Sequence, residues 1–446
     1  MPSSQSSNSQ PARLDRFYHP ALVWVFRLLV GVTFVLSGFT KSVDVWGSFY
    51  KIGEYLEVWG WNIPSPLVVI AAFLLGGVEF VCGFLLLLGC YKRVSVWILL
   101  LMMAFMLPLT LYIAVADPVA DCGCFGDFLI ISNNATFVKN IFLTLFLLYL
   151  FRFNRKTDGL YVPYVQWVVG GLLSLYIMIV AFYGYNVQPM IDFRRFDPGT
   201  DLLASADVRD EGDEAEYEFI YEKDGSEESF SIDNLPDSTW TFVDRRLIGG
   251  SEAVTDGFAV ISDGENIAED IIDPDAEQFV VTVPDMSRVD LSYTYLLNEL
   301  NDYITARGGS MVALVSADDE GIERWRDVSM ASYEIYNAEP TLIKELARGH
   351  AAIVYLRKGV VVWKRTLSSI SYKIVTETPP GEIDSELDPD SSSTLQGLTL
   401  IFAAVLIGIM ILDRSGKLLA WLLKRRRRKA AKSNNAACDN DGSAVG

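Results

Sequence analysis

Six long apolar runs constrain the fold of this chain more than any other feature of its sequence. A helix rises about 1.5 Å per residue, so about 20 apolar residues cross the hydrocarbon core of a bilayer. Runs with this composition and few charges occupy residues 21–40, 67–90, 94–116, 137–151, 162–183 and 395–412. The sequence therefore predicts an α-helical polytopic membrane protein that has the lipid bilayer as a partner.

Basic residues cluster at alternate ends of these runs. The clusters are Arg13 with Arg16, Lys92 with Arg93, Arg152 with Arg155 and Lys156, and residues 424–429. Cytoplasmic loops carry an excess of Lys and Arg, so all four clusters are placed on the cytoplasmic side. This predicts a multi-pass protein of the inner (cytoplasmic) membrane, with both termini cytoplasmic and residues 185–394 extracytoplasmic. We interpret residues 424–429 as a topology anchor and expect no nucleic-acid partner.

The acidic residues lie apart from the apolar runs. The chain carries 56 Asp and Glu against 37 Lys and Arg, a formal net charge of -19, and the acid is concentrated between Asp192 and Asp390. This separation predicts a solvated domain between the fifth and sixth spans. Its surface is interpreted as a solubilising face, and selection of a basic client is the alternative.

Within the acidic region, the sequence predicts small β elements followed by an α/β layer. A hairpin is expected over residues 216–232 around Asp224-Gly225, and a short strand over residues 258–261. Further strands at 279–283, 311–316, 333–336, 352–356 and 360–364 alternate with helices at 292–306, 320–327 and 342–348. This order is similar to that of a thioredoxin-like fold. Residues 125–437 contain no Cys, so such a domain would be a degenerate copy that binds and does not exchange disulfides.

The expected domain organisation follows from these spans and elements. It comprises a cytoplasmic N-terminus (1–20), a four-helix membrane domain (21–153), a fifth transmembrane helix (162–184), a small β-rich extracytoplasmic region (185–275), a degenerate thioredoxin-like domain (276–375), an acidic linker (376–394), a sixth transmembrane helix (395–413) and a basic cytoplasmic tail (414–446). The loop between the third and fourth spans faces outward in this arrangement.

That loop contains the segment Cys122-Gly123-Cys124, the candidate redox pair. Two residues of extended chain separate the two Cα atoms by about 6.6 Å, at the upper edge of disulfide geometry, so closure needs a bend that Gly123 can supply. The flanking Asp121 and Asp127 are expected to raise the thiol pKa values, which leaves open the sulfur that attacks. The alternative interpretation is a pair that only shapes the loop.

The other cysteines and the histidines indicate no second chemical site. Cys82 and Cys90 are interpreted as small packing residues of the second span, and Cys438 lies in the tail. Only two thiols are clustered and His19 and His350 are distant in sequence, so no metal site is expected.

Ionisable residues within or beside the spans form a second candidate polar site. Glu79 falls near the middle of the second span, where a charge is costly and normally faces a partner or water. Arg27, early in the first span, is the expected partner, whereas Lys41 is expected at the outer end near Asp44 and the cysteine loop. A proton or quinone site and an ion pair that fixes helix packing are both compatible with these positions.

These residues also resemble those of a known family. The chain contains Arg27, then Ser-Gly-Phe-Thr-Lys at 37–41, Gly-Val-Glu at 77–79 and Asp-Cys-Gly-Cys-Phe-Gly-Asp at 121–127. Over residues 21–153 it resembles the DoxX and methylamine-utilisation MauE group of four-helix membrane proteins. MauE-type proteins are associated with disulfide formation in methylamine dehydrogenase, and DoxX relatives with membrane oxidoreductase complexes. The longer form with a fifth span is similar to DoxX-like proteins from Bacteroidota.

The resemblance implies extracytoplasmic thiol-disulfide or quinone-linked redox through Cys122 and Cys124. A quinone is then a candidate cofactor, and a periplasmic thiol protein or a membrane redox partner is a candidate partner. The rival hypothesis is a non-enzymatic assembly or scaffold protein that presents an acidic periplasmic binding domain. A transporter is a third hypothesis, but the sequence shows no inverted repeat that would favour it.

Overall fold

The computed structural model divides the chain into two compact units. It describes residues 19–116, 118–119, 121–206, 216–223, 226–231, 240–249, 257–262, 265–290, 292–379 and 382–441. The first unit is helical and combines the chain up to Phe193 with the chain from Asp390 onward, whereas the second unit spans Arg194 to Pro389. The two units are described separately below.

The helical unit contains seven long helices in its described residues. They are α1 (Pro20–Val43), α2 (Val45–Val58), α3 (Ser65–Leu88), α4 (Val94–Ala116), α5 (Asn133–Phe153), α6 (Gln166–Asn186) and the last helix, Ser391–Asp441. All except α2 are long and apolar enough to cross a membrane. The six predicted spans are thus confirmed as helices, and they fit a polytopic helical membrane protein.

Helices α1 and α3 approach each other closely because small residues line their contact. A Cβ added at Gly38 would lie 2.3 Å from the Phe80 backbone nitrogen, and one at Gly83 would lie 2.9 Å from the Val35 nitrogen. Small residues allow membrane helices to pack backbone against backbone, where lipid supplies no hydrophobic driving force between them. This contact fixes the register of α3 against α1.

The two ends of the bundle carry different polar networks. At one end, the start of α1 meets the turn that follows α5, and fully buried Arg27 donates to the Asn154 side chain, to the Asn154 carbonyl at 3.0 Å and to Thr157 Oγ1 at 2.6 Å. We call this the arginine end. The opposite end, which holds the loop between α4 and α5, is called the cysteine end.

The expected pairing of Arg27 with Glu79 is corrected by this arrangement. Glu79 contacts Ser37 and Lys41 of α1, which are 10 and 14 residues beyond Arg27. At about 1.5 Å per residue, the guanidinium is about 15 Å or more from that site along the helix axis. Arg27 instead ties the turn after α5 to α1 at the arginine end.

Helix α2 lies in the segment between the first and second predicted spans. The Asp44 carboxylate caps it by accepting a hydrogen bond from the Gly47 backbone N–H at 2.8 Å. Trp46 stacks on Tyr185 of α6 with 4.9 Å between ring centroids, and its indole N–H donates to the Tyr185 carbonyl at 2.9 Å. These contacts hold the start of α2 against the cysteine end of the bundle.

The second unit is built on a five-stranded mixed sheet. Its short early elements are α7 (Leu202–Ala206), β1 (Glu216–Lys223), β2 (Ser226–Ser231), β3 (Thr241–Gly249), β4 (Ile261–Ser262), β5 (Glu265–Asn266) and α8 (Ala268–Ile271). The sheet and its helices follow as β6 (Glu277–Val283), α9 (Tyr293–Ala306), β7 (Ser310–Val315), α10 (Asp319–Ser329), β8 (Glu334–Asn337), α11 (Pro340–Leu346), β9 (Ala352–Arg357), β10 (Val360–Thr366), α12 (Tyr372–Glu377) and α13 (Ile383–Leu387). The final transmembrane-length helix of the other unit is therefore α14.

The strand order of this sheet is β10-β9-β6-β7-β8. Strands β6, β7 and β8 are parallel, and β9 runs antiparallel to both β6 and β10. Every predicted strand and helix from residue 279 to residue 364 is confirmed within a few residues, and the unit has an α/β architecture. Alternating strands and helices produce this layer because each crossover helix covers a sheet face.

Both faces of the sheet are covered by apolar residues of the same unit. One core contains Phe279, Leu300 and Trp325, and the other contains Phe196, Phe258 and Leu346. The expected boundary at residues 275 and 276 therefore does not separate two folded bodies, because Phe196 and Phe258 complete the core of the sheet.

The expected acidic linker also differs from the structure. Ile383 and Leu387 of α13 are buried in the first core of the sheet. Apolar residues one helical turn apart are enough to dock this short helix, although the acidic residues around it suggested a solvated connection.

A separate three-stranded sheet has the order β2-β1-β3. The antiparallel pairing of β1 with β2 confirms the predicted hairpin, whose turn at residues 224–225 and last residue, Ile232, lie outside the described residues. The predicted strand at 258–261 is wrong over most of its length, because residues 258–260 form no strand and only Ile261 belongs to β4. Phe258 and Val260 instead fill the core of the five-stranded sheet.

Candidate functional site

The loop between α4 and α5 brings the two sulfurs of the Cys-Gly-Cys segment together. Gly123 has φ +64°, and its backbone N–H donates to the Asp121 carboxylate at 2.5 Å. The bend that the sequence predicted at Gly123 is present. Cys122 and Cys124 are free thiols, and their sulfurs lie 3.0 Å apart. A disulfide bond is roughly 2.05 Å long, so the sulfurs need to approach by only about 1 Å to form one.

Helix α2 covers one side of this loop. The Tyr55 hydroxyl donates to the Cys122 carbonyl at 3.1 Å, and the Lys51 ammonium lies 3.5 Å from the Asp121 carboxylate. The stem of Lys51 also fills the space beside Gly123, where an added Cβ would meet it at 2.7 Å. The left-handed backbone and this close contact both require glycine at position 123.

Helix α1 contacts the other side of the loop through Ser37. The Ser37 hydroxyl oxygen lies 2.5 Å from the Cys124 carbonyl oxygen and 2.7 Å from Glu79 Oε2. A hydroxyl has one proton, so it donates to one of these two acceptors at a time. Ser37 therefore links the backbone of the cysteine loop to the carboxylate inside the bundle.

Glu79 is paired with Lys41, and both side chains contact Ser37. The Lys41 ammonium lies 2.8 Å from each oxygen of the Glu79 carboxylate and 3.1 Å from the Ser37 hydroxyl. Both charged side chains are buried, with exposed fractions of 4% for Lys41 and 3% for Glu79. Lys41, which was expected at the outer end near Asp44, thus faces inward and is the partner that Glu79 requires.

The two thiols have opposite acidities. The pKa of Cys124 is lowered to about 6, chiefly because the Cys122 thiol donates to its sulfur; burial opposes this shift, and the ammonium groups of Lys139 and Lys41 add to it. The same hydrogen bond raises the pKa of Cys122, and burial raises it further. These shifts favour the thiolate at Cys124 and the proton at Cys122.

The difference between the two pKa values favours Cys124 as the attacking sulfur, a choice that the sequence left open. Asp121 and Asp127 were expected to raise the thiol pKa values, but the groups that dominate at Cys124 are its partner thiol and two lysines from α1 and α5. Cys122 is buried and Cys124 is partly exposed.

Apolar and aromatic residues surround the buried side of the pair. Cys122 packs with Leu109 and Ile113 of α4 and with Val119, and Tyr55 and Trp59 of α2 are among the partly buried side chains around this cluster. Burial also raises the pKa of the Tyr55 phenol, and the nearby cysteine sulfurs add to the effect. Tyr55 consequently remains a neutral hydrogen-bond donor to the loop.

The structure brings together four of the five site residues that the sequence predicted. Cys122, Cys124, Glu79 and Lys41 form one continuous cluster at the cysteine end, whereas Arg27 belongs to the arginine end. Cys82 and Cys90 are buried, as expected for packing residues.

Sequence reasoning missed three members of the cluster: Ser37, Tyr55 and Lys139. Ser37 stands four residues before Lys41, so both lie on one helical face, and this spacing was the available signal. Tyr55 and Lys139 gave no comparable signal, because they belong to α2 and α5 and reach the loop only in the folded bundle.

Two further features bear on ligands. Among the residues that the structure describes, no group of three or more His, Cys, Asp or Glu is placed to hold a metal ion. In the second unit, a cavity of about 460 Å³ lies where β7 and β8 end and is lined by Ile261, Ser316, Ala317, Asp318, Asn337, Ala338, Glu339 and Pro340. The carboxyl ends of parallel strands are a common location for ligand sites in α/β sheets.

Comparison with known proteins gives two partial matches. Residues 19–153 match the family model described as methylamine utilisation protein MauE, and residues 215–248 match a domain of unknown function (DUF8463). No curated protein and no solved structure matches the chain. The first match covers α1 to α5 with the cysteine loop, and it supports a MauE-like multi-pass membrane domain. The second match covers the three-stranded sheet.

Proposed function

We propose that this protein carries out extracytoplasmic thiol-disulfide exchange through Cys122 and Cys124 at the surface of the inner membrane. The observation that carries the proposal is the pair itself, two free sulfurs 3.0 Å apart with a bend already formed between them. The unequal acidities of the two thiols support it, because exchange needs one thiolate and one resolving thiol. The similarity of residues 19–153 to MauE is consistent with a redox or methylamine-utilisation process.

The chemistry of the pair assigns a role to each sulfur. The Cys124 thiolate attacks one sulfur of a client disulfide, the client S–S bond breaks, and a client thiolate leaves. Cys122 then loses its proton and attacks Cys124, which releases the second client thiolate and closes the Cys122–Cys124 disulfide. The client gains two electrons and the pair loses two, and the same steps in reverse oxidise a client dithiol.

A membrane quinone is the candidate partner for the oxidising direction. After a client dithiol has been oxidised, a quinone that takes two electrons from the pair, one proton from the Cys122 thiol and one proton from water would become a quinol and restore the disulfide. The apolar side chains of Leu109, Ile113 and Trp59 around the pair match the apolar character of a quinone. A periplasmic thiol protein would be the client.

The second unit is proposed to be a thioredoxin-like binding domain. Its order β7-β6-β9-β10, with β6 and β7 parallel and β9 antiparallel, supports this assignment, although β8 extends the edge. Residues 125–437 contain no Cys, so the domain would hold a client while the membrane unit performs the exchange. This arrangement requires residues 185–394 to be extracytoplasmic.

The proposal is tested by following the oxidation state of the pair in intact cells. Alkylation mass shifts of the full chain, carrying Cys82→Ala, Cys90→Ala and Cys438→Ala, are recorded with and without reductant. We expect two thiols to be protected reversibly and to become available on reduction, and Cys122→Ser or Cys124→Ser to abolish the protection. Thiols that stay free in cells grown under oxidising conditions would contradict an exchange function.

The acidic second unit also supports a scaffold function. Its cavity at the ends of β7 and β8 and its lack of Cys fit a binding module. A scaffold requires no redox chemistry, so a variant with Cys122→Ser and Cys124→Ser would complement a deletion strain as fully as the natural chain. Loss of complementation in a variant that is still inserted and folded would favour the exchange function.

A further inference from the structure

The thiolate of Cys124 needs a positive counter-charge. Even a partly buried anion is costly unless a cation or hydrogen-bond donors compensate it. The charged groups that act on its sulfur are Lys41 from α1, Glu79 from α3 and Lys139 from α5. Lys51 of α2 and Asp121 of the loop lie beside Gly123. Lys41, Lys51 and Lys139 are therefore the three lysines that could compensate the charge of the sulfur.

Lys41 and Lys51 are both engaged by carboxylates. An ammonium group has three N–H donors, and Lys41 directs its donors to the two oxygens of Glu79 and to Ser37. Lys51 lies 2.8 Å from Glu54 and 3.5 Å from Asp121. Glu79 opposes the effect of Lys41 on the sulfur, so this pair compensates a nearby thiolate only in part.

Lys139 is held beside the cysteine loop in a different way. Its ammonium lies 4.5 Å from the centroid of the Phe125 ring, and Phe125 is buried and directly follows Cys124. A cation over an aromatic face is attracted by the ring without being neutralised. The aromatic ring therefore holds Lys139 at the residue that follows Cys124 and leaves its charge available there.

We infer that Lys139, held by Phe125, is the counter-charge that stabilises the Cys124 thiolate. The inference rests on the proposed exchange function and adds a positioning residue to it. Oxidation to the disulfide removes the thiolate and leaves Lys139 uncompensated. The lysine therefore favours the dithiol form and makes the disulfide a stronger oxidant, as expected when a reduced form is stabilised.

The test uses the purified full chain in lipid nanodiscs, with Cys82→Ala, Cys90→Ala and Cys438→Ala. The rate of Cys124 alkylation by iodoacetamide is measured against pH by peptide mass spectrometry, and the dithiol-disulfide equilibrium is measured in glutathione buffers. For Lys139→Gln we expect a higher pH midpoint, an alkylation rate at pH 7 lower by about tenfold, and an equilibrium shifted about tenfold toward the disulfide. A tenfold shift equals about 30 mV for a two-electron couple.

Two matched variants separate charge from folding. Lys139→Arg keeps the cation and is expected to retain the natural pH midpoint, whereas Lys373→Gln removes an exposed lysine of the second unit, paired with Glu377, and is expected to leave the midpoint unchanged. If Lys139→Gln does not fold, Phe125→Leu releases the lysine from the ring and is expected to raise the midpoint partway.

The results also distinguish this inference from the proposed function. An unchanged pH profile in folded Lys139→Gln or Phe125→Leu protein would overturn the counter-charge role, even if the pair cycles between dithiol and disulfide. A natural chain that never forms the disulfide would overturn the exchange function, whereas the alkylation profile would still measure the effect of Lys139.

Discussion

At the scale of single residues, each charged group at the cysteine end has few partners that compensate its charge. The hydrogen bond between the two sulfurs favours a thiolate on Cys124, and Lys41 neutralises Glu79. Removing Cys122 or Lys41 leaves an anion without its partner in a region of low dielectric constant. Charge substitutions here are therefore expected to have larger effects than those at exposed ion pairs.

The first prediction concerns the thiol pair. Cys122→Ala removes the S–H donor, so the pKa of Cys124 should rise from about 6 toward the ordinary thiol value of 9.0. The thiolate exists above the pKa, so the alkylation rate of Cys124 at pH 7 should fall about tenfold or more and recover at alkaline pH. Cys122→Ser keeps a hydroxyl donor and should show a smaller decrease. Equal rates in the natural chain and in Cys122→Ala would contradict this account.

The second prediction concerns the buried ion pair. Glu79→Gln leaves the Lys41 ammonium without its carboxylate, and breaking a buried pair costs about 3–5 kcal/mol of unfolding free energy. Denaturant titration in mixed micelles measures the loss. The double variant Lys41→Met with Glu79→Leu should be less destabilised, and Lys51→Gln, at a partly exposed pair, should cost at most about 1 kcal/mol. A Glu79→Gln protein as stable as the natural chain would show that the pair is not a structural requirement.

At the scale of elements, the site depends on the contact between α1 and α3. Ser37 and Lys41 belong to α1 and Glu79 to α3, so the network forms only if the two helices keep their present register. Close backbone contact at Gly38 and Gly83 sets the separation of the helices. Helix α2 then adds Tyr55 and Lys51 from the other side of the loop.

The third prediction compares two glycines of this bundle. An Ala at Gly38 would place its Cβ 2.3 Å from the backbone nitrogen of Phe80, which cannot move away as a side chain can. We expect a loss of about 1–3 kcal/mol in unfolding free energy and weaker protection of the cysteine loop. Gly77→Ala is the control, because nothing lies within 4 Å of its added Cβ and alanine favours a helix by about 1 kcal/mol. Equal stability of the two variants would refute close packing at Gly38.

At the scale of the whole molecule, the chain joins a helical membrane unit to an α/β unit with its own two-faced core. The α/β unit supplies both apolar faces from its own residues between Phe196 and Leu387. The helical unit presents side chains such as Leu101 and Phe105 on its outer surface, as a protein surrounded by lipid does. The sidedness of the membrane determines whether the cysteine end meets an oxidising compartment.

The fourth prediction tests that sidedness. In a chain with the other native cysteines replaced, Tyr295→Cys introduces a thiol at a position with 78% exposure in the second unit, and native Cys438 is kept. A membrane-impermeant maleimide applied to spheroplasts should label position 295 at once, whereas Cys438 should react only after lysis. Labelling of Cys438 in sealed spheroplasts would reverse the proposed orientation and place the thiol pair on the cytoplasmic side.

The sequence by itself determined the six spans, the strands and helices from residue 279 to residue 364, and the cysteine pair with its bend at Gly123. These features depend on the length of an apolar run, the periodicity of its residues and the backbone freedom of glycine, all of which can be read from neighbouring residues. The tertiary structure alone decided that Lys41, and not Arg27, pairs with Glu79, that Lys139 and Tyr55 join the cysteine loop, and that Ile383 packs in a core. Each of these contacts joins residues far apart along the chain, so it depends on helix depth, rotation and packing, which no local pattern specifies.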